Sequence, residues 1–213
     1  MRLLTEPAFV VRLARYMLGL PTPKDTEDRR VLEQVIFGHY CALEDVRRVL
    51  FVGCRSYTRH YERHYFRDHE FWTLEPDRRA RRFGARRHVI APLERLAEHF
   101  PEGAFDLILC NGVYGFGLDT HAQCQAAFEQ CFTRLRDGGH FMLGWNDVPA
   151  RTPVPLAQIE SLGLFTPAAL PALGTWRYLT DTGHRHVYDF YRRLKPPSGG
   201  AVSSRQVRAL GLG

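Results

Sequence analysis

The sequence predicts an α/β fold, a mostly parallel sheet with helices on both faces, and three observations lead there. Short apolar runs without polar interruption recur at Val49-Leu50-Phe51-Val52, Phe71-Trp72-Thr73-Leu74, His88-Val89-Ile90 and Phe105-Asp106-Leu107-Ile108-Leu109-Cys110. Helical or turn-forming stretches separate them. The clearest runs give way to Gly53, Glu75 and Asn111, residues that suit a loop at the end of a strand. Strands buried on both faces read as near-continuous apolar runs, and strands alternating with helices pair in parallel.

The elements follow in order. Phe9, Val10, Leu13, Tyr16, Met17 and Leu20 repeat at helical spacing. Pro21-Thr22-Pro23 stops that helix, because proline lacks a backbone donor and restricts the residue before it. A second stripe, Val31, Leu32, Val35 and Ile36, predicts another helix, and both helices should cap a larger core. After the four strands, a helix at about 120–136 carries Cys124, Phe128, Cys131, Phe132 and Leu135 on one face. Asp137-Gly138-Gly139 turns into a fifth strand at 140–145. The proline-rich stretch 149–171 allows a short helix near 156–162. Trp176-Arg177-Tyr178-Leu179 and His186-Val187-Tyr188-Asp189-Phe190-Tyr191 read as an antiparallel pair, since a parallel pair needs a longer crossover. One domain should span 1–195, with a helical cap at 1–47 and the sheet core at 48–195. Residues 196–213, opening with prolines and glycines, read as a flexible tail.

Composition narrows the function classes. The 213 residues, 45% hydrophobic and 24% charged, fit a single globular domain. No run reaches the roughly 18 apolar residues of a membrane span, and the N-terminal stripe lacks a small-residue cleavage site. A cytoplasmic protein without a membrane partner is expected. The net charge is +6, and all basic residues but Lys24 and Lys195 are arginine. The cluster Arg78, Arg79, Arg81, Arg82, Arg86 and Arg87 reads as a solvated face before a nucleic-acid contact. Five cysteines without a CxxC pair argue against a disulfide framework or a structural zinc site. His60 and His64 miss the HExxH pattern because the glutamate, Glu62, sits one place late. No metal is expected.

Candidate chemistry collects at the strand ends. In open parallel sheets, ligands bind beyond the carboxyl ends of the strands, where the topology reverses. Gly53 and Cys54 close the first strand and lead into Arg55, Ser56 and Tyr57. Glu75 closes the second, 22 positions after Gly53, a spacing suited to gripping ribose hydroxyls. Asn111, Gly112, Val113 and Tyr114 follow the fourth strand, and Trp145, Asn146 and Asp147 follow the fifth.

Those motifs resemble the Rossmann-like (class I) S-adenosylmethionine-dependent methyltransferases. The run through Gly53-Cys54 is similar to their first motif, Thr73-Leu74-Glu75 to the acidic second, and Phe105 through Asn111 to the fourth-strand motif. Leu135 through Phe141 resembles the loop entering their fifth strand. The likeness spans 49–147 and, more loosely, 176–194. It implies that Glu75 holds the ribose of S-adenosylmethionine, that Gly53 borders its amino-acid end, and that Ala91, Pro92 and Leu93 flank adenine, with Cys54, Arg55 and Tyr57 also in the cofactor set. Asn111, Gly112 and Val113 complete the cofactor set. The glycine motif is degenerate: Cys54-Arg55-Ser56-Tyr57-Thr58 stands where more glycine is usual, and Ala91-Pro92 replaces an acidic residue.

The function implied is methyl transfer to a small-molecule acceptor in specialised metabolism. Two alternatives stand beside it: a lyase that cyclises the aminobutyrate chain of S-adenosylmethionine and releases methylthioadenosine, and a cofactor-free scaffold. Aromatic faces attract cations such as a sulfonium, which directs attention to Tyr57, Tyr61, Tyr65, Phe66, Tyr114 and Phe116. Tyr114, Asn111 and Asp147 are the catalytic candidates. Tyr61, Trp145 and Asn146 are the candidates for holding the acceptor.

Overall fold

The computed structural model describes residues 7–18, 20–22 and 24–194, so the tail read at 196–213 lies outside the described residues. Helix α1 (Pro7–Met17) comes first. A longer helical segment follows, built from α2 (Glu27–Arg30), a π-helical stretch at Val31–Ile36 and α3 (Phe37–Cys41). The sheet then begins with β1 (Arg48–Val52), and the short α4 (Tyr61–His64) leads to β2 (Glu70–Leu74). Next come β3 (Arg87–Val89), β4 (Phe105–Asn111), α5 (His121–Arg134) and β5 (Leu135–Asn146). Strands β6 (Thr166–Pro167), β7 (Arg177–Leu179) and β8 (His186–Arg192) finish the sheet.

The order is β3-β2-β1-β4-β5-β8-β6, with β7 also on β8. The first five strands pair in parallel, and β8 runs antiparallel to β5 from His140↔Arg192 to Asn146↔His186. Both β6 and β7 use the far edge of β8, at its two ends. The expected antiparallel pairing of the last two strands is present, with Tyr178 opposite Tyr188. The fifth strand is longer than its apolar run, since pairing with β4 starts at Leu135.

Alternation along β1 divides the core between two layers. Leu50 and Val52 join Ile108, Leu143 and the Cys124, Phe128 and Cys131 face of α5. Val49 and Phe51 join Leu107, Leu109 and the Leu32, Ile36, Phe37 and Tyr40 face of the N-terminal segment. Period-two strands between helical faces require this two-sided burial. Phe37 is fully buried, with its ring centroid 4.9 Å from that of Tyr61 and 5.0 Å from that of Phe66. Truncating such a ring costs about 3–5 kcal/mol. Helix α5 begins on a capping box in which Thr120 and Gln123 satisfy each other's backbone donors.

Two local expectations fail. Among the described side chains of the N-terminal stripe, Val10, Leu13, Tyr16, Met17 and Leu20 are all exposed, and Tyr16 makes a tilted ring contact with Phe83 at 5.4 Å. The helix expected near 156–162 is two 3-10 turns, Leu156–Gln158 and Glu160–Leu164, because Ile159 between them is extended at φ −98° and ψ 96°. Among the described residues, no helix is long and apolar enough to cross a membrane.

Candidate active site

The chain leaves β1 for β2 on one side and returns as β4 on the other, and a cavity of about 480 Å³ opens where these strands end. This is the switch point where open α/β sheets bind ligands. The hydrogen-bond ladder continues past the strands into its walls: Gly53 N donates to Leu74 O at 2.9 Å, Glu75 N to Val89 O at 3.1 Å, and Gly112 N to Gly144 O at 2.8 Å. Gly53 adopts φ +91°, which L side chains rarely tolerate, and a Cβ there would lie 3.2 Å from Val113 Cγ2.

Glu75 sits in the wall, only 5% exposed. Its Oε2 accepts from Cys54 N and from Arg55 Nη1, each at 3.0 Å, and its Oε1 accepts from Asp77 N at 3.1 Å. A carboxylate offers about four acceptor positions, so one remains on Oε1. Burial pushes the Cys54 thiol up to about 12, so it stays protonated at neutral pH.

The opposite wall is polar. Asp28 and Arg29 from α2 reach the cavity, and two cations lie over the Tyr57 ring, Lys24 Nζ at 4.2 Å and the Arg29 guanidinium at 4.7 Å from its centroid. His184 and His186 enter from the start of β8. His186 Nδ1 lies 2.6 Å from Asn146 Oδ1, and its Nε2 lies 3.0 Å from Asn111 Oδ1. Burial pulls the His186 pKa down to about 3, leaving the ring neutral. Gly144 makes room for this contact, since a Cβ at 144 would collide with Asn111 Oδ1.

This architecture recurs in solved structures. The N-methyltransferase NodS from Bradyrhizobium japonicum, in complex with S-adenosyl-L-homocysteine, superposes with a TM-score of 0.63 at 15% identity, covering 81% of this chain and 90% of that one. The chain has the class I S-adenosylmethionine-dependent methyltransferase fold. A TehB-like S-adenosylmethionine-dependent methyltransferase from Corynebacterium glutamicum aligns at a TM-score of 0.55 and 16% identity, over 88% of this chain and 100% of that one. A methyltransferase from Archaeoglobus fulgidus aligns at 0.52 and 12%, with the same coverage. No protein-family model and no curated protein matches the sequence.

Within this methyltransferase fold, most of the expected cofactor residues meet at the cavity. Gly53, Arg55, Tyr57, Glu75, Pro92 and Leu93 line it, as do Asn111, Gly112, Val113 and Asn146. Cys54 and Ala91 do not. The Cys54 side chain packs with Ala80 and Phe83, leaving only its backbone N–H to Glu75, and Ala91 packs into the layer beneath α5.

The aromatic candidates sort differently from expectation. Tyr114 is fully buried, donating its hydroxyl to Val154 O beneath the cavity wall, and Phe116 lines the cavity in its stead. Tyr61 and Phe66 pack around Phe37 in the N-terminal layer, with Tyr65 at its edge. Trp145 faces the α5 layer and donates Nε1 to Asp189 Oδ2 at 3.0 Å. Asp147 pairs with Arg185 at 3.0 Å outside the cavity lining. Tyr114 and Asp147 are therefore displaced as groups touching a ligand, and Tyr61 and Trp145 as acceptor contacts.

The residues missed at the sequence level are Lys24, Asp28, Arg29, Glu94, His184 and His186. Asp28 and Arg29 come from a segment read only for its apolar stripe, and Glu94 lies in the first turn of the 3-10 segment Leu93–Glu98. The histidines carried no periodicity signal, since His184 lies in the turn before β8 and Arg185 between them has φ +47°, which breaks strand alternation.

Proposed function

We propose that this protein binds S-adenosylmethionine in the cavity at the ends of β1, β2 and β4 and transfers its methyl group to a small-molecule acceptor. The observation that carries the reading is Glu75, a buried carboxylate at the end of β2 beside the Gly53 turn, with one acceptor position still open. Glu75 takes the ribose hydroxyls, Pro92 and Leu93 flank the adenine, and Glu94 offers its amino group a carboxylate. The sharp Gly53 turn keeps side chains off the path of the amino-acid end. When bound, the cofactor supplies an electrophilic methyl on a good leaving group, so alignment and exclusion of water carry much of the acceleration. A proton acceptor is required only where the nucleophile must lose a proton, and Asp28 and His184 on the polar wall are the basic groups placed for that task, while Asn111, Asn146 and the neutral His186 orient the acceptor.

The test is calorimetric titration with S-adenosylhomocysteine, followed by incubation with S-adenosylmethionine alone and mass spectrometry. Saturable binding with an intact cofactor supports the proposal. Methylthioadenosine and a cyclic amino acid formed without acceptor would assign cyclisation instead. Absence of binding at millimolar ligand would leave a scaffold.

A further inference from the structure

We propose that Asp28, His184 and His186 form a binding site for a divalent transition-metal ion on the polar wall of the cavity. One ligand atom from each of the three lies within 4.8 Å of the others, and His184 Nε2 is 3.8 Å from Asp28 Oδ1. Around an ion held at roughly 2.1 Å, neighbouring donors sit about 3.0–3.5 Å apart. The three groups thus need only a small inward movement to share one ion.

Asp28 is the first independent pointer. The residue is 4% exposed, yet its Oδ1 accepts no hydrogen bond. The Arg29 guanidinium approaches the other oxygen, with Nε 3.4 Å from Oδ2. Oδ1 is left toward the two imidazoles. A buried carboxylate oxygen without a donor is costly, and a cation would satisfy it.

His186 is the second. Its Nδ1 lies 2.6 Å from Asn146 Oδ1, and an Nδ1–H donated there leaves the Nε2 lone pair available to an ion. A metal-bound imidazole that gives its other N–H to a carbonyl is also the usual outer-shell arrangement.

Two imidazoles and one carboxylate, with an amide oxygen near and no thiolate, suit Zn²⁺, Co²⁺, Ni²⁺, Fe²⁺ or Mn²⁺ better than Mg²⁺ or Ca²⁺, which prefer all-oxygen shells. The site opens onto the cavity. If the methyl-transfer reading holds, a bound ion would replace Asp28 and His184 in that task by polarising an acceptor hydroxyl or amine, whose proton would pass to solvent water. That role rests on the proposed function; the binding site does not.

The experiment uses untagged protein stripped with a chelator and titrated with Co²⁺, followed by its visible absorption, and with Zn²⁺ by calorimetry. One equivalent should bind, raise the melting temperature and give a spectrum of mixed nitrogen and oxygen ligation. Asp28→Asn and the half-exposed His184→Ala should each weaken binding tenfold or more, with circular dichroism confirming an intact fold. No stoichiometric binding, or binding that His184→Ala leaves unchanged, would overturn the site. S-adenosylhomocysteine is titrated into the same stripped protein. Its binding without metal binding rejects this site alone, and metal binding without it rejects the cofactor reading alone.

Discussion

Arg55 Nη1 lies 3.0 Å from Glu75 Oε2, so the carboxylate placed to hold a ribose is already ion-paired within its own loop. Glu75 is buried and Arg55 is half exposed at the cavity wall. The arginine can swing into solvent at little cost, and the glutamate cannot. Two ribose hydroxyls need two acceptor positions, and Arg55 occupies one of them. Glu75→Ala should therefore weaken adenosine binding by about 1.5–3 kcal/mol, the range for a hydrogen bond to a charged group. Arg55→Met should tighten it, by roughly tenfold at most. Adenosine is the probe because it lacks a carboxylate for Arg55 to bind. Weaker binding by Arg55→Met in calorimetry would show that the guanidinium contacts ligand instead of competing with it.

Tyr114 and Phe116 divide the roles that a reading of strand ends assigns to one ring. The Tyr114 hydroxyl donates to Val154 O in a fully buried position, whereas the Phe116 ring lines the cavity and lies under Arg151, 4.1 Å from its centroid. Tyr114→Phe should lower stability by about 1 kcal/mol through the lost bond to a buried carbonyl and leave ligand affinity unchanged. Phe116→Ala should do the reverse, weakening S-adenosylhomocysteine binding with little change in melting temperature. Parallel thermal melts and titrations of the two variants check both.

The sheet was legible because β1, β2 and β4 are buried on both faces, and an apolar run followed by Gly53, Glu75 or Asn111 has few other readings. The Gly53, Glu75 and Asn111 triangle followed, since strand ends fix backbone positions regardless of what the side chains do. Side-chain direction was not legible. Tyr114 and Phe116 are two apart in an irregular loop with glycines at 112, 115 and 117, where neither helical nor strand periodicity says which ring turns inward. The polar wall was hidden for another reason: Asp28 and His186 are 158 positions apart, and only the antiparallel placement of β8 beside β5 brings them together. Helix α1 shows the limit of periodicity, because an apolar stripe predicts a helix without naming what covers it.

Asp189 has no exposed surface and accepts three hydrogen bonds, from Arg177 Nε at 2.6 Å, Arg177 Nη2 at 2.8 Å and Trp145 Nε1 at 3.0 Å. Arg177 thus clamps β7 onto β8 while neutralising a charge that β8 buries. Removing one partner of a buried pair leaves the other uncompensated, at about 3–5 kcal/mol, and solvent reaching the half-exposed Arg177 puts Arg177→Met near the lower end. The double variant Arg177→Met, Asp189→Asn should recover part of the loss, because no net charge is then buried. Denaturant unfolding of the two proteins measures the difference, and equal stability of Arg177→Met and wild type would show that water already reaches Asp189.

His140, in β5 where pairing with β8 begins and away from the cavity end of the strand, sets a pH dependence that can be separated from the cavity. It is 9% exposed with its ring 5.2 Å from that of Tyr40, and burial, aided by the nearby Arg192, lowers its pKa to about 4. The unfolded chain titrates near 6.5. Above that pH neither state holds the proton, and the stability is complete. As pH falls from about 6.5 to about 4, the unfolded chain takes up a proton that the folded one refuses, so stability declines, and below about 4 this contribution levels off. His140→Phe should remove that part of the slope, about 1 kcal/mol between pH 7 and pH 5 after allowance for partial solvation. His88, also lowered to about 4, and His186 keep their own shares of the slope in the variant. The measurement is therefore the difference between wild-type and variant unfolding free energies at the two pH values, and an identical slope in both would mean that the His140 ring is protonated within the folded protein.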